Sequence, residues 1–239
     1  MERNSGAVTY LLMPSPLLGG SVWEPVAEAL RASGHDAFIV PPMRTVPSSP
    51  ADVIGHLLDV VPANGCFVLV PHSNAGLFVP ALIAVRSVAT TVFVDARLPP
   101  ASGQVVGAEG EFLHVLAGMA DGDGTLPPWT RWWSEEDLEA LYPTVEARQR
   151  VEREAPRLPL SYFRAAVAVP PGWDHAGGAY LAFCETYRAE RDGAARRGWP
   201  TATIPGGHLH MLHDPTGVAG WIVRLSAEAM RLGSAAQLQ

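Results

Sequence analysis

Cysteine is scarce in this 239-residue chain: Cys66 and Cys184 are too few for a disulfide framework and lack the spacing of a zinc site. Both are expected to be buried free thiols. Charge is also thin, with 17% of residues charged and a net charge of -7, and no basic run exceeds the Arg196-Arg197 pair. That excludes the electrostatic footprint a nucleic-acid backbone requires. Long hydrophobic runs are missing as well. The opening residues 1–5 lead into an apolar stretch, Tyr10 to Met13, that is far below a membrane span and too short for the core of a signal peptide, so a cytoplasmic protein is expected. There is no internal repeat and no low-complexity segment. What the chain does have is apolar mass, 48% of its residues, enough to offset the conformational entropy of folding. Its length suits one large α/β domain, or a core carrying an inserted cap.

Apolar runs of strand length alternate with helical patterns, which predicts a mostly parallel sheet flanked by helices. Val8 to Met13 reads as a buried strand, ended by Pro14-Ser15-Pro16. A helix follows, with Ser21 and Glu24 at capping-box spacing, Trp23, Val26 and Leu30 on one face, and Gly34 at the C-cap. Ala37 to Val40 is the second strand and 51–60 the second helix. Cys66 to Val70 is five apolar residues without alternation, hence buried on both faces and central. After Ser73 come a helix to about Arg86 and a strand from Thr90 to Val94 that ends at Asp95. From 97 to 171 Gly and Pro become frequent and aromatics gather outside the strands, so this stretch is assigned to a helical cap, with 1–96 and 172–239 as the core. Strand character returns at Ala179 to Phe183 and Thr201 to Ile204, separated by a polar helix, and a last helix starts after Asp214-Pro215.

A serine between a buried strand and a helix is held on a tight turn that pushes its hydroxyl over the strand ends. Here the Gly-x-Ser-x-Gly pattern of such an elbow stands as Pro71-His72-Ser73-Asn74-Ala75, with Gly76 one place later. The plainer alternative is that Ser73 caps its helix. Far along the chain, Pro205-Gly206-Gly207-His208 opens a loop after the last short strand, where a base belongs. By the elbow at Ser73, the Gly-Gly-His loop and the loop from Pro14 to Trp23, the chain resembles the α/β-hydrolase superfamily over about residues 7–96 and 172–233. The resemblance implies a catalytic triad in which His208 takes the proton of Ser73. His72, beside the nucleophile, is by the same resemblance a residue that packs the elbow.

The triad needs a carboxylate to hold the His208 tautomer. The superfamily's usual position follows the strand Ala179 to Phe183, where this chain has Glu185; an alternative position follows the strand after the nucleophile, where Asp95 stands. Asp95 is preferred because its carboxylate sits directly at a strand end. The oxyanion needs two N–H donors, one from Asn74 and one from the loop after the first strand. Counting back from Trp23 places the second on Pro16, which has no N–H. The loss of one donor costs about 2.7–4 kcal/mol of transition-state stabilisation. Leu17 N–H or the Ser15 hydroxyl is the substitute to look for. His208, His210 and His213 also invite a metal reading, but the remaining histidines form no comparable cluster, and neither metal nor other cofactor is expected. Trp129, Trp132 and Trp133 either line an apolar substrate pocket or anchor the cap.

Together these readings point to a serine-dependent hydrolase or acyl-transfer enzyme that acts on an ester, thioester or amide of a mainly apolar small molecule. Two alternatives stay open: an isomerase, cyclase or lyase on the same fold in which His208 moves a proton, and a small-molecule-binding protein that has lost catalysis.

Overall fold

The computed structural model describes residues 8–236, so the leader reading made on residues 1–5 lies outside the described residues. The first half of the chain alternates strand and helix: β1 (Thr9–Met13), α1 (Glu24–Ala32), β2 (Asp36–Ile39), α2 (Pro50–Val60), β3 (Phe67–Ser73), α3 (Val79–Ile83) and β4 (Val88–Ala96). An insert then holds β5 (Gly103–Val106), α4 (Gly110–Met119), α5 (Glu135–Glu139), α6 (Val145–Glu154), α7 (Leu160–Arg164) and β6 (Ala166–Val169). The chain closes with β7 (Gly178–Ala182), α8 (Arg188–Arg196), β8 (Thr201–Thr203) and α9 (Pro215–Ala236). Among the described residues no helix is long and apolar enough to cross a membrane.

Six strands form one sheet in the order β2-β1-β3-β4-β7-β8, and every neighbouring pair in it is parallel. β3 is central and all seven of its residues are buried, the apolar run Phe67 to Pro71 as well as the polar His72 and Ser73 that end it. From β1 the chain steps outward to β2 and then returns to β3 on the other side of β1. With right-handed crossovers, that reversal puts α1 and α2 on opposite faces of the sheet. It also opens a crevice at the carboxyl ends of β1 and β3, the place where open α/β sheets bind their ligands. The loop after β1 and the turn after β3 both start there.

Two local expectations are corrected. Ser21 and Glu24 do not form a capping box: Gly20–Val22 is a short 3-10 turn, Trp23 occupies the N-cap of α1 without a side-chain bond, and the Ser21 hydroxyl is buried without a partner. The box that does form is on α2, where the Ser49 side chain meets the Asp52 N–H and the Asp52 carboxylate accepts from the Ser49 N–H. The stretch 97–171 is also not helical throughout, because β5 and β6 pair antiparallel at its two ends. The insert thus leaves and rejoins the core at one place.

Candidate active site

β3 ends on Ser73 with φ 55° and ψ −127°, a positive-φ conformation that a serine adopts only when its surroundings impose it. The ladder with β4 slips between His72 and Ser73, and the Arg97 N–H donates to the Ser73 carbonyl at 3.0 Å. Those contacts fix the turn. Gly76 makes room for it: a Cβ there would stand 2.0 Å from the Arg97 carbonyl oxygen, a backbone atom that cannot swing away. The glycine that serves this elbow is therefore one residue later than the usual pattern places it, while Ala75 fits where the pattern has glycine.

Asp95, the next-to-last residue of β4, also has positive φ, 42°. Tyr180 from β7 secures the bend, since its hydroxyl donates to the Ala96 carbonyl at 2.6 Å and accepts from the Ala96 N–H at 2.9 Å. The Asp95 side chain is fully buried and multiply bonded. Its Oδ1 accepts from the Phe183 N–H at 3.0 Å, and its Oδ2 accepts from His208 Nδ1 at 2.6 Å and from the Cys184 thiol at 3.3 Å. Burial alone would raise this carboxyl, but the His208 hydrogen bond and charge, with the Phe183 N–H, outweigh it and hold Asp95 below its ordinary value. An ionised Asp95 accepts only, so Nδ1 of His208 carries the proton and the Nε2 lone pair is left to receive one. Glu185 is elsewhere, exposed and paired with Arg188.

His72 supports the histidine loop from below. Its Nε2–H donates to the His208 carbonyl at 3.0 Å, and the two rings lie 4.4 Å apart. Burial, together with the charge of His208, pushes His72 down to about 3, so it stays neutral and serves as a neutral prop for the loop. His210 and His213 turn away and stack on each other with ring centroids 6.2 Å apart. Among the described residues no three His, Cys, Asp or Glu side chains converge as a metal site needs.

Above the strand ends lies a cavity of about 600 Å³ that Ser73, Asn74 and His208 share with residues of the insert. Trp129, Trp132 and Trp133 all line it. Trp129 packs 5.8 Å from the His208 ring, and Trp132 both packs on Phe163 and donates through its indole N–H to the Pro127 carbonyl, so one residue lines the cavity and ties the insert to itself. From α7, the Tyr162 hydroxyl donates to the Asn74 side-chain oxygen at 2.7 Å and anchors the insert on the elbow. Six aromatic side chains give the wall much of its apolar surface, and its charged groups are Asp137 and one ion pair, Arg97 to Glu190 at 3.3 Å.

The oxyanion side departs from expectation at Pro16. Counting back from Trp23 puts Pro16 beside Ser73, but Pro14, Ser15 and Pro16 line a separate cavity of about 260 Å³, and it is Leu17 that faces the Ser73 cavity. The Leu17 N–H is held by the Ser15 hydroxyl at 3.3 Å, a long bond that a stronger acceptor can displace. Asn74 opens a 3-10 turn, so its N–H has no acceptor within that turn.

Two residues in contact with this group carry no signal in the sequence. Tyr187 presents its hydroxyl to Ser73 Oγ at 3.3 Å and stacks its ring on His208, with centroids 5.4 Å apart. Among the described residues it is Tyr187, not His208, that hydrogen-bonds Ser73. Both cysteines are expected to be buried free thiols, and both are only partly buried; Cys184 is the one at the site. It is free but only half-buried, it lines the cavity, and it donates to Asp95.

The chain has the α/β-hydrolase fold. It is similar in structure to an extracellular α/β-hydrolase from a Paenibacillus species, described as sharing structural and functional homology with tobacco salicylic acid binding protein 2 (16% identity, covering 91% of this chain and 98% of that one, TM-score 0.69). It is also similar to tomato methylketone synthase I complexed with 2-tridecanone (15%, 93% and 99%, TM-score 0.67) and to a pyrethroid hydrolase from Sphingobium faniae (17%, 92% and 98%, TM-score 0.58). No family model and no curated protein sequence matches the chain. At such identities the likeness establishes the fold, and the reaction has to be argued from the site.

Proposed function

We propose that this protein is a serine-dependent hydrolase or acyl-transfer enzyme for an ester, thioester or amide of a mainly apolar small molecule, with Ser73 as nucleophile, His208 as base and Asp95 as the orienting acid. The observation that carries this reading is the 2.6 Å bond from His208 Nδ1 to the buried Asp95 carboxylate, at the foot of a cavity that also holds the strained Ser73. In the first half-reaction the Ser73 proton passes to His208 Nε2 as Oγ bonds to the carbonyl carbon, whose π pair moves onto oxygen. Collapse restores the carbonyl and expels the leaving group, which takes the proton from His208. Water repeats the sequence on the acyl-serine and regenerates the hydroxyl.

Residues 97–171 act as a cap over this chemistry. Support comes from the cavity lining, to which the insert contributes Phe112, three tryptophans, Leu141 and Phe163. Aromatic walls favour an apolar acyl or alkyl group over a charged one. Several structural neighbours are named as hydrolases, and one of them as a hydrolase of pyrethroids, which fits the same class. A cytoplasmic place of action belongs to the proposal; both cysteines are free thiols, and Cys184 uses its S–H at the site.

One observation favours a second reading. The Ser73 hydroxyl is bonded to Tyr187, which leaves His208 free to move a proton on the substrate itself while the two hydroxyls hold a substrate oxygen. Hydrolysis of p-nitrophenyl esters from acetate to octanoate separates the two. The nucleophile reading predicts turnover with kcat/KM rising by about tenfold for every two methylenes that enter the aromatic cavity, at ~0.8 kcal/mol each. Absence of turnover across the series favours proton transfer.

A further inference from the structure

We propose that Tyr187 is a catalytic residue of this site, its hydroxyl donating, alongside the Asn74 N–H, to the oxygen that becomes negative when a carbonyl is attacked. The inference rests on the reading of Ser73 as nucleophile and adds a residue to it. The need for such a donor arises in the loop after β1. Pro16 has no N–H and belongs to the neighbouring cavity, and the Leu17 N–H must first leave the Ser15 hydroxyl, 3.3 Å away, before it can serve. The means lies in the same cavity as Ser73. Tyr187 follows β7 in the loop that also carries Cys184, and its hydroxyl stands 3.3 Å from Ser73 Oγ inside the cavity.

Once Oγ bonds to the carbonyl carbon, the former carbonyl oxygen and Oγ share that carbon and lie closer together than a hydrogen bond is long. A donor that reaches one reaches the other after a small side-chain shift. Ser73 gives its proton to His208 as the Oγ–C bond forms, and the π pair moves onto the carbonyl oxygen, so the acceptor offered to Tyr187 changes from the neutral Ser73 hydroxyl to a second oxygen that becomes an anion. The hydrogen bond strengthens as charge develops, which is the property that lowers a barrier and not merely a KM. Tyr187 keeps its proton throughout. Burial, the largest influence on it, pushes the phenol well above its ordinary value, so it is a neutral donor at any working pH. Its ring, stacked on His208 and enclosed by the cavity wall, fixes where the hydroxyl points.

Tyr187→Phe removes one oxygen and keeps the stacked ring, and it separates this proposal from the reading beneath it. With p-nitrophenyl butyrate the variant is expected to lose about 10²–10³-fold in kcat with KM little changed, the size of one lost oxyanion donor. Its thermal unfolding midpoint should match the parent's, and a fluorophosphonate should still reach Ser73, more slowly, as seen by peptide mass spectrometry. A kcat equal to the parent's, with the adduct forming in both, would overturn the role of Tyr187 and leave the nucleophile standing. A loss confined to KM would overturn it too, since that is the mark of a wall contact. If the parent forms no adduct at Ser73, both fall together.

Discussion

Replacing His208 by Gln is expected to lower kcat on an activated ester by about six orders of magnitude, the loss seen when the base of a serine triad is removed. Gln is chosen because its amide can still donate to Asp95 Oδ2, the bond that now holds His208 Nδ1 at 2.6 Å, so the loop has no reason to move. The His72 prop acts on the backbone carbonyl of residue 208 and is untouched by the change. What disappears is the acceptor at Nε2. Ser73 then keeps its proton at neutral pH and remains a weak nucleophile. Stopped-time hydrolysis of p-nitrophenyl butyrate, with thermal unfolding as a control for the fold, measures the effect. Activity within tenfold of the parent would mean that another base serves Ser73.

Asp95→Asn is expected to cost about 10⁴-fold in kcat, for a reason that can be read from its partners. The Phe183 N–H donates to Oδ1 at 3.0 Å and forces the carbonyl oxygen of an asparagine to that side. The amide NH₂ then faces His208 Nδ1. Two donors cannot share a hydrogen bond, so the ring takes the tautomer with its proton on Nε2 and can no longer accept one from Ser73. Glu185→Gln serves as the comparison; it is exposed and paired with Arg188 away from the site, and should leave kcat unchanged. Equal losses in the two variants would contradict the assignment of Asp95.

What the sequence made legible, and what it did not, follows from the range of the interactions. β3 was readable because a strand buried on both faces must be continuously apolar, and Ser73 because it stands where that strand gives way to a helix. The meeting of His208 with Asp95 could be expected from a glycine-flanked loop and the end of the next strand. Each of these depends on near neighbours in the chain. Tyr187 and Cys184 depend on a loop folding back over β3 and β4, and no periodicity announces that. A count back from Trp23 fixes a position along the chain but not which cavity that residue faces, and it is Leu17, not Pro16, that lines the Ser73 cavity. The capping box was sought at Ser21 on spacing alone. Spacing is necessary but gives way to burial, and the Ser21 hydroxyl faces the interior. β5 and β6 escaped notice because four residues each, set among glycines and prolines, are too few to show alternation; it takes their pairing across sixty residues to define them.

The proposed reaction requires Ser73 to be a nucleophile that His208 and Asp95 activate. Incubation with a fluorophosphonate at neutral pH, followed by proteolysis and mass spectrometry, tests this directly, because attack on phosphorus expels fluoride and leaves a stable bond to whichever oxygen attacked. One adduct per chain is expected, on the peptide bearing Ser73, and none in Ser73→Ala. A parent protein that stays unlabelled under conditions that label a serine esterase, or an adduct that persists in Ser73→Ala, would contradict it.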